Sequence, residues 1–595
     1  MRLSHMQSSG GDEVVMRIIK ASAMFLGVVV FGLQVAPQLT VAQTAVTLKD
    51  YFVNAQLPYH NAVLDPAGWL LAWYQPEKNM GYDNFVRMDW EFLEHKVPLD
   101  KVDGVKVYLV HPVYDVNSGQ GKLTMWQHNP PSTFAHLMDM FVGYYPYSGD
   151  TDAADVMREM LDYQLAHGTT PGDWAWPGVP FPTSCIGDKE YGHCLQDVPR
   201  EFYGGIETDK IGELGLSYIQ FYEFTGERKY LDAGIRCGDQ LAKHIRPGDA
   251  THTPWPFRID AHTGTVIDGE EFGGMIVAPV RLFDELVKLE AGGTAEYKKA
   301  RDIAWEWILK NPLNKASAAW DKWSGYYEDQ PKDTENVNDM DSMLVAYYIL
   351  SQDDPARVDP NWRVHVRHLI DRSRLLLGRG PFFGAWGIDE QLRPDDLPAG
   401  GVDQSLRTFK GALLGTDNRG CCTSVGLVCR TSQWGAINAM FFDRTSDGQA
   451  FEDAFRSLNY ATYFQRSNGA ISCCGLDFDE YWFEDGHSDA GRSFMWALGA
   501  VPAFAPVGQS HLLRSSSIVK RVKYANRLVE YTTFDDSGVE VFRLNFKPTD
   551  ITAGKISLRP RNDLAGNGYT IKGLAGGDYE VRLRRSGATH TVLKG

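Results

Sequence analysis

The sequence predicts a mainly α protein built from stacked helical hairpins, followed by an antiparallel β domain. Two observations indicate the hairpins. Apolar residues recur at three- to four-residue spacing in paired segments, and Gly-containing turns separate the halves of each pair. A third observation indicates the β domain, because alternating or β-branched segments separated by Gly and Asp turns follow residue 515.

The segment 204–245 is the clearest hairpin. Its first half places Ile211, Leu214 and Tyr218 at helical spacing, and its second half continues the same periodicity. Between them the turn 225–227 contains a Gly that can end a helix in the left-handed conformation. Because so short a connection makes the two helices antiparallel neighbours, we expect one hairpin here.

The other helices follow the same rule, with Gly149, Gly293 and Gly448 marking further turns. About six inner helices are predicted. The last helix, 488–501, has no following partner, and we expect the early helix 81–95 to close the ring beside it. The remaining predicted helices are one beginning at Ser132, then 153–167, 272–290, 295–310, 337–350, 362–377, 432–442 and 451–464.

The amino-terminal stretch has the pattern of an export signal. Arg17 and Lys20 precede the apolar run 21–35, and the small residues 40–42 follow it. The apolar run is too short for a membrane span and is typical of a signal peptide. We therefore expect a secreted or periplasmic protein with no membrane span in its mature form. The expected organisation is a leader and extension over 1–43, an N-terminal segment with the closing helix and short strands over 44–130, a helical domain over 131–510 and a β domain over 511–595.

Composition excludes two classes of partner. The chain is 43% hydrophobic and 12% aromatic, which is typical of a globular protein. Its net charge of -17 argues against nucleic acid and anionic membranes. A polyanionic substrate would need a local cluster of Arg and Lys. No pattern calls for a cofactor, and the oligomeric state is not encoded in any feature of the sequence.

Eight cysteines in an exported chain permit disulfides. Cys185 and Cys194 share one Pro- and Gly-rich loop, and we expect them to pair. Cys237 lies within a predicted helix, where a buried free thiol is expected. No Cys-x2-Cys or His-x3-His spacing indicates a metal site. The others are expected in two later loops: Cys421, Cys422, Cys429, Cys473 and Cys474.

Taken together, the hairpins over 81–501 resemble the six-hairpin glycosidase superfamily. The turn Thr225-Gly226-Glu227-Arg228-Lys229-Tyr230-Leu231 looks like the turn of unsaturated glucuronyl hydrolases and related enzymes. This resemblance implies an (α/α)6 toroid with an appended β-sandwich-like domain. It also implies that substrate lies in a cavity lined by the loops that lead into the inner helices.

Polar residues recur where the inner helices begin. A single acidic residue there is accounted for by helix capping. Many carboxylates converging on one mouth would repel each other unless an ion, a cationic group or shared protons intervened. The residues at these positions are His128, Asn129, Ser132, Glu207, Asp209, Glu270, Glu271, Asn336, Asn338, Asp339, Asp341, Arg430, Gln433, Glu484, Asp485, His487 and Asp489.

Glycoside hydrolysis requires one carboxyl group that protonates the leaving oxygen and another that activates water or attacks carbon. We expect Asp339 or Asp341 to be the acid, and Glu207 or Asp209 to be the partner from another hairpin. His487 can bind hydroxyls or move protons. Capping and structural ion pairing remain the alternatives for each of these residues.

Aromatic and basic residues complete the expected site. Trp174 and Trp176 lie in a Pro- and Gly-rich loop, which favours sugar stacking over a place in the core. The remaining expected substrate-binding residues are His128, Arg430, Tyr481, Trp482 and Arg492.

These features predict a secreted glycoside hydrolase whose partner is an oligo- or polysaccharide containing uronic acid. One alternative is a polysaccharide lyase, which would abstract the proton beside a uronate carboxylate with a His or Tyr base such as His487 or Tyr481. The second alternative is a noncatalytic glycan-binding protein that keeps the toroid without the chemistry.

Overall fold

The computed structural model describes residues 82–97, 101–102, 105–106, 112–114, 121–123, 129–180, 204–267, 271–314, 320, 323, 340–376, 428–462, 465, 469, 471 and 484–595. The predicted leader and the expected Cys185–Cys194 bridge lie outside these residues. In the part that is described, no helix is both long enough and apolar enough to cross a membrane.

Twelve α-helices occur in the described residues, and they match the predicted pairs. They are α1 Tyr82–Lys96, α2 Pro130–Ser148, α3 Asp152–His167, α4 Thr208–Thr225, α5 Arg228–Lys243, α6 Val277–Lys288, α7 Thr294–Ile308, α8 Met340–Ser351, α9 Trp362–Leu376, α10 Val428–Thr445, α11 Gly448–Thr462 and α12 Ala490–Ala500.

The helices form two concentric layers. The inner helices α2, α4, α6, α8, α10 and α12 contact one another in that order, and α12 contacts α2. Helices α3, α5, α7, α9 and α11 each pack outside the inner helix that precedes them, while α1 packs against α12. The predicted (α/α)6 toroid and its closure by the early helix are thus confirmed.

Burial explains which helix takes which layer. In α10 every residue over 428–441 is buried, so this helix has no face for solvent. Helix α5 buries one stripe that includes Tyr230, Ala233, Cys237 and Leu241, and its other face is polar. A helix that is buried on all sides belongs inside, whereas an amphipathic helix belongs at the surface. Cys237 is a buried free thiol, as predicted.

The hairpin turns follow the predicted mechanism only in part. Gly149 and Gly226 have φ of 76° and 80° and end α2 and α4 in the left-handed conformation. Gly293 does not, because Glu290 takes that role after α6 with φ of 52°, and Ala291 N donates to Leu286 O at 3.0 Å. The turn before α11 uses Ser446 with φ of 59°, and Gly448 instead begins the helix. The expected repeat therefore lies in the helix pairs rather than in one fixed Gly position.

Three short antiparallel ribbons occur between the helices in the described residues. Strands β1 and β2 pair with each other, as do β3 and β4, and β5 and β6. The β5–β6 ribbon leads directly into α4. Their bounds are β1 Lys101–Val102, β2 Val105–Lys106, β3 Pro112–Tyr114, β4 Gly121–Leu123, β5 Gly205–Glu207 and β6 Arg258–Asp260.

The C-terminal domain consists of two antiparallel sheets, which confirms the predicted β domain. The sheets have the orders β13-β14-β10-β7 and β12-β11-β15-β9-β8, and Tyr531 meets Phe542 between them with ring centroids 5.8 Å apart. The strands are β7 His511–Ser515, β8 Val519–Ala525, β9 Leu528–Thr533, β10 Gly538–Leu544, β11 Asp550–Ala553, β12 Ile556–Ser557, β13 Gly568–Gly573, β14 Tyr579–Arg585 and β15 His590–Lys594.

The β domain packs on the carboxyl ends of the inner helices. Asp443, near the end of α10, pairs with Arg514 at 3.1 Å and with Arg582 at 2.7 Å. Lys288, the last residue of α6, pairs with Asp535 at 2.9 Å. One end of the ring is therefore occupied by protein, and the predicted site residues begin the helices at the other end.

Candidate active site

The start of α4 is fixed by a buried carboxylate. Arg258 of β6 donates from Nε to Glu207 Oε1 at 2.9 Å, and Asn129 donates from Nδ2 to Glu207 Oε2 at 3.1 Å. All three side chains are buried. Glu207 therefore joins the starts of α2 and α4 to the β5–β6 ribbon, and its two oxygens are already bound by cations and amides.

Beyond Glu207, nine ionisable residues from five inner helices meet inside the ring. We call this group the axial cluster. Its members are His136 and Asp139 of α2, Asp209, Lys210 and Glu213 of α4, Arg281 of α6, Arg430 of α10, and Asp489 and Arg492 at the start of α12.

Lys210 holds two carboxylates of the axial cluster on α4. Its Nζ lies 3.2 Å from Asp209 Oδ2 and 3.5 Å from Glu213 Oε2, with all three residues buried. Burial raises the pKa of Glu213, but Lys210 and His136 outweigh that effect and lower it to about 2. Glu213 is therefore ionised at neutral pH and is not suited to act as a general acid.

His136 links α4 to α12. Its Nε2 lies 3.5 Å from Glu213 Oε1 and its Nδ1 lies 2.9 Å from Asp489 Oδ1. Burial and the Arg492 charge lower the pKa of His136, whereas Asp489 and Glu213 raise it, and the result is a pKa of about 9. The imidazole is a cation at neutral pH because it stands between two carboxylates.

Asp489 is the centre of the cluster. Besides His136, it contacts Arg430 Nη1 at 3.4 Å and forms a short ion pair with Arg492. Burial raises the pKa of Asp489, but Arg492, His136 and Arg430 together hold it well below its usual range. These cationic groups thus offset the repulsion that the sequence predicts between converging carboxylates.

A second layer of charges lies further along the axis. Arg281 donates to both oxygens of Asp139, at 3.1 and 2.9 Å, and Arg492 Nη1 lies 3.7 Å from the same carboxylate. Tyr347 of α8 and Trp496 of α12 stack with centroids 3.9 Å apart, under the guanidinium groups of Arg281 and Arg492 respectively. These rings and ion pairs lie nearer the carboxyl ends of the inner helices than Asp489 does.

His487 contacts two residues of α1. It lies in a π-helical turn, Glu484–Asp489, and its Nδ1 is 2.5 Å from Asp89 Oδ1 of α1. Its ring is parallel to that of Phe92, with centroids 4.6 Å apart. Burial raises the pKa of Asp89 to about 6, although His487 lowers it. This carboxylate fixes the orientation of the imidazole.

The structure brings some of the expected site residues together. Asp209, Arg430 and Arg492 belong to the axial cluster, and Glu207 adjoins it through α4. Asp341 lies in the first turn of α8, but its side chain is outside the description. Four other expected site residues lie outside the described residues altogether: His128, Asp339, Tyr481 and Trp482.

The two tryptophans do not share one environment. Trp176 is 2% exposed and stacks on His244 with centroids 4.0 Å apart, so the structure places it in the core rather than on an open sugar platform. Its backbone N–H donates to Ala261 O at 3.0 Å, which holds it under the β5–β6 ribbon. Trp174 is half-buried and meets His262 edge to face.

Several residues of the axial cluster were not predicted. His136, Asp139, Glu213 and Arg281 lie within helices, whereas Lys210 is the third residue of α4 and stands at its start. The available signal was an ionisable residue inside a helix that is otherwise apolar on all sides. Cys429 also differs from expectation, since it lies buried in the first turn of α10 and not in a loop. Among the described residues, no three His, Cys, Asp or Glu side chains are arranged as metal ligands.

Comparisons with known proteins give low identities. No family model matches the chain, and no curated protein does. The chain is similar to a crystal structure of an unsaturated glucuronyl hydrolase specific for heparin, at 11% identity over 70% of this chain and 96% of that one, with a TM-score of 0.41. It is also similar to a crystal structure of D-mannose isomerase, at 11% identity over 71% of this chain and 96% of that one, with a TM-score of 0.45. A third similar structure is that of a sugar epimerase from a ruminal bacterium, at 10% identity over 69% of this chain and 97% of that one, with a TM-score of 0.44.

Proposed function

We propose that this protein is a carbohydrate-active enzyme, a glycoside hydrolase that acts on a uronic acid-containing glycan. One observation carries the proposal: carboxylates, an imidazole and guanidinium groups from five inner helices converge inside one end of a closed ring. Clusters of ionisable groups with shifted pKa values are typical of catalytic sites. With its predicted leader, the enzyme would act in the periplasm or outside the cell.

The basic members of the axial cluster favour an acidic sugar. A guanidinium has five N–H donors in a planar fork that matches a carboxylate. Arg492 is buried, and its Nε has no hydrogen-bond partner in the described part of the chain. Arg430 lies on the neighbouring inner helix. We assign these two arginines to the carboxylate of the uronate, a local positive site in a chain whose net charge is -17.

The two carboxyl groups that hydrolysis needs are assigned to different helices. Asp209 lies beside the ammonium of Lys210, which favours its ionised form and suits a base or nucleophile. The acid is assigned to Asp339 or Asp341 at the start of α8. Only α6 separates α4 from α8 in the ring, so the two helices line the axis from different positions.

The test is product analysis. Tetrasaccharides prepared from hyaluronan, chondroitin, alginate and polygalacturonate are incubated with the full chain, and products are followed by mass and by ultraviolet absorbance. Hydrolysis adds one water to the summed product mass, whereas elimination adds none and creates an absorbing double bond. We expect the water adduct without new absorbance. Binding without any product would indicate the noncatalytic alternative.

Variants test the assigned residues. Asp209→Asn should lower kcat by about 10²- to 10⁴-fold, the range for loss of an acid or base. One of the two variants Asp339→Asn and Asp341→Asn, the one that removes the acid, should lower it by the same factor. Asp232→Asn, on the outer face of α5 in an exposed pair with Arg228, is the matched control and should keep full turnover. Unchanged turnover in all four of the site variants would remove the proposed site. These are Asp209→Asn, Asp339→Asn, Asp341→Asn and Glu207→Gln.

One observation favours β-elimination as the second candidate. The Asp89–His487 pair orients an imidazole in the turn that leads into α12, as a His base requires. A lyase would show growing ultraviolet absorbance with every active tetrasaccharide, and His487→Gln would abolish it. His487→Gln with full hydrolytic turnover would restrict the pair to joining α1 to α12.

A further inference from the structure

The orientation of Gln433 follows from its two neighbours on α10. Trp434 donates from Nε1 to Ile370 O of the outer helix α9 at 3.3 Å. The Cα of Gly435 faces α11, where Ser457 and Leu458 would lie 3.1 Å from an added Cβ. Because successive helix residues are about 100° apart, Gln433 points to the opposite side of α10. That side is the interior of the ring.

Gln433 is buried there without hydrogen bonds. The side chain is 2% exposed, and neither Nε2 nor Oε1 has a hydrogen-bond partner in the described part of the protein. A primary amide offers two donors and an acceptor, and leaving a buried polar group unsatisfied destabilises the folded protein. Asn438 on the same helix is satisfied in part, since its Nδ2 donates to Trp434 O at 2.8 Å while its Oδ1 has no partner in the described residues.

The surroundings of Gln433 are the proposed site. Arg430, three residues earlier and therefore on a nearby face of α10, contacts Asp489. On the other side of α12, Ser132 of α2 is fully buried, and its hydroxyl also has no hydrogen-bond partner within the described ranges. Ser132 lies four residues before His136, so it shares the face that meets the axial cluster.

We propose that Gln433 determines specificity by binding a pair of neighbouring hydroxyls on the sugar ring. Oε1 accepts from one hydroxyl and Nε2 donates to the other, while Ser132 binds a hydroxyl from the opposite side of Asp489. The neutral amide recognises the hydroxyl face of the sugar, and the arginines recognise its carboxylate. This inference rests on the proposed saccharide substrate but not on whether the reaction is hydrolysis or elimination.

The test replaces the amide with an apolar side chain of similar shape. Gln433→Met should fold with a Tm equal to or above that of the wild type, because an unsatisfied buried amide is removed. Its kcat/KM for the tetrasaccharide that the wild type cleaves should fall by about 100-fold, the effect of losing two hydrogen bonds of ordinary strength. Gln240→Met, on the outer helix α5, should keep the wild-type kcat/KM.

A deoxy analogue makes the test specific. Wild type should reject the tetrasaccharide that lacks one of the paired hydroxyls by about 100-fold or more, because the amide is then left unpaired. Gln433→Met should lose most of that discrimination. Loss from protein destabilisation would instead affect both substrates equally.

Three outcomes overturn the inference, and they are distinguishable. Equal kcat/KM and equal discrimination in wild type and Gln433→Met would remove the role of Gln433 while the proposed function stands. A fall in Tm as large as that of Asn438→Leu would show that the amide stabilises the fold. If the wild type neither binds nor cleaves any of the four tetrasaccharides, the proposed function and this inference fail together.

Discussion

The two ends of the ring use buried charge in different ways. At the carboxyl end, Asp443 is held by Arg514 and Arg582 of the β domain, so its charges join two parts of the protein. At the amino end, the axial cluster links inner helices to one another and lies beside Gln433, a buried amide that nothing in the described chain satisfies. Charge pairing alone therefore does not mark a site. The difference is that the amino end also contains a whole side-chain amide, that of Gln433, with neither polar atom hydrogen-bonded in the described residues.

The largest effect on this comparison is expected from Asp489→Asn. The substitution leaves His136, Arg430 and Arg492 buried without their shared carboxylate, and breaking a buried ion pair costs about 3–5 kcal/mol. Calorimetry should show a lower Tm, and kcat should fall because the arginines lose their positions.

Asp443→Asn is the matched variant at the other end. Its partners Arg514 and Arg582 have side chains 34% and 25% exposed, so water can compensate and the cost should be about 1–2 kcal/mol. We expect turnover to remain at the wild-type level. An equal loss of activity in both variants would break the distinction between the two ends.

The effect expected from pH is smaller than that of Asp489→Asn. His136 has a folded pKa of about 9, above its ordinary value of 6.5. Its stabilising contribution is therefore complete below pH 6.5 and is lost as pH rises through 9. The difference in unfolding free energy between wild type and His136→Gln should shrink by about 3 kcal/mol from pH 6 to pH 10.

Thermal unfolding of both proteins across this range provides the measurement. Glu213 titrates in a separate window, since its depressed pKa of about 2 removes stability only as pH falls below its ordinary 4.5. A pH-independent difference between the two proteins above pH 6 would mean that His136 is neutral in the folded state.

The smallest effect is expected at a hairpin turn. Gly226 has φ of 80° and no heavy atom within 4 Å of where a Cβ would stand, so only backbone conformation resists substitution. Gly226→Ala should lower the unfolding free energy by about 1–2 kcal/mol without changing kcat. Gly226→Asn should cost less, because Asn tolerates the left-handed region. Any change in kcat would show that the carboxyl end influences the site.

The sequence was sufficient for the architecture because helix pairing is a local property. Apolar spacing and short turns specified the hairpins, and the unpaired final helix implied the closure by α1. The position of the left-handed residue within a turn was less predictable. After α6 the left-handed residue is Glu290, although two glycines follow at 292 and 293, and only the hydrogen bonds of the folded turn select this position.

The candidate site was predictable at helix starts and not within helices. Asp209, Arg430 and Arg492 were found because loops lead into their helices. The connection of His136 to Glu213 and Asp489 was not, because it depends on which faces of α2, α4 and α12 meet across the axis. Trp176 was placed on the surface from its Pro- and Gly-rich loop, although the β5–β6 ribbon covers it.

Closure of the ring by α1 has a consequence for how the chain folds. Asp89 and His487 are 398 positions apart, and Tyr82 donates to Phe455 O at 3.1 Å, 373 positions later. During synthesis, α1 therefore leaves the ribosome long before α12 is made. Until then, the apolar face of α1 that packs against α12 is exposed to solvent. Contacts between such distant segments slow folding and expose the chain to aggregation. Chaperone demand should consequently be greatest just before residue 484 is made, and it should end when α12 docks.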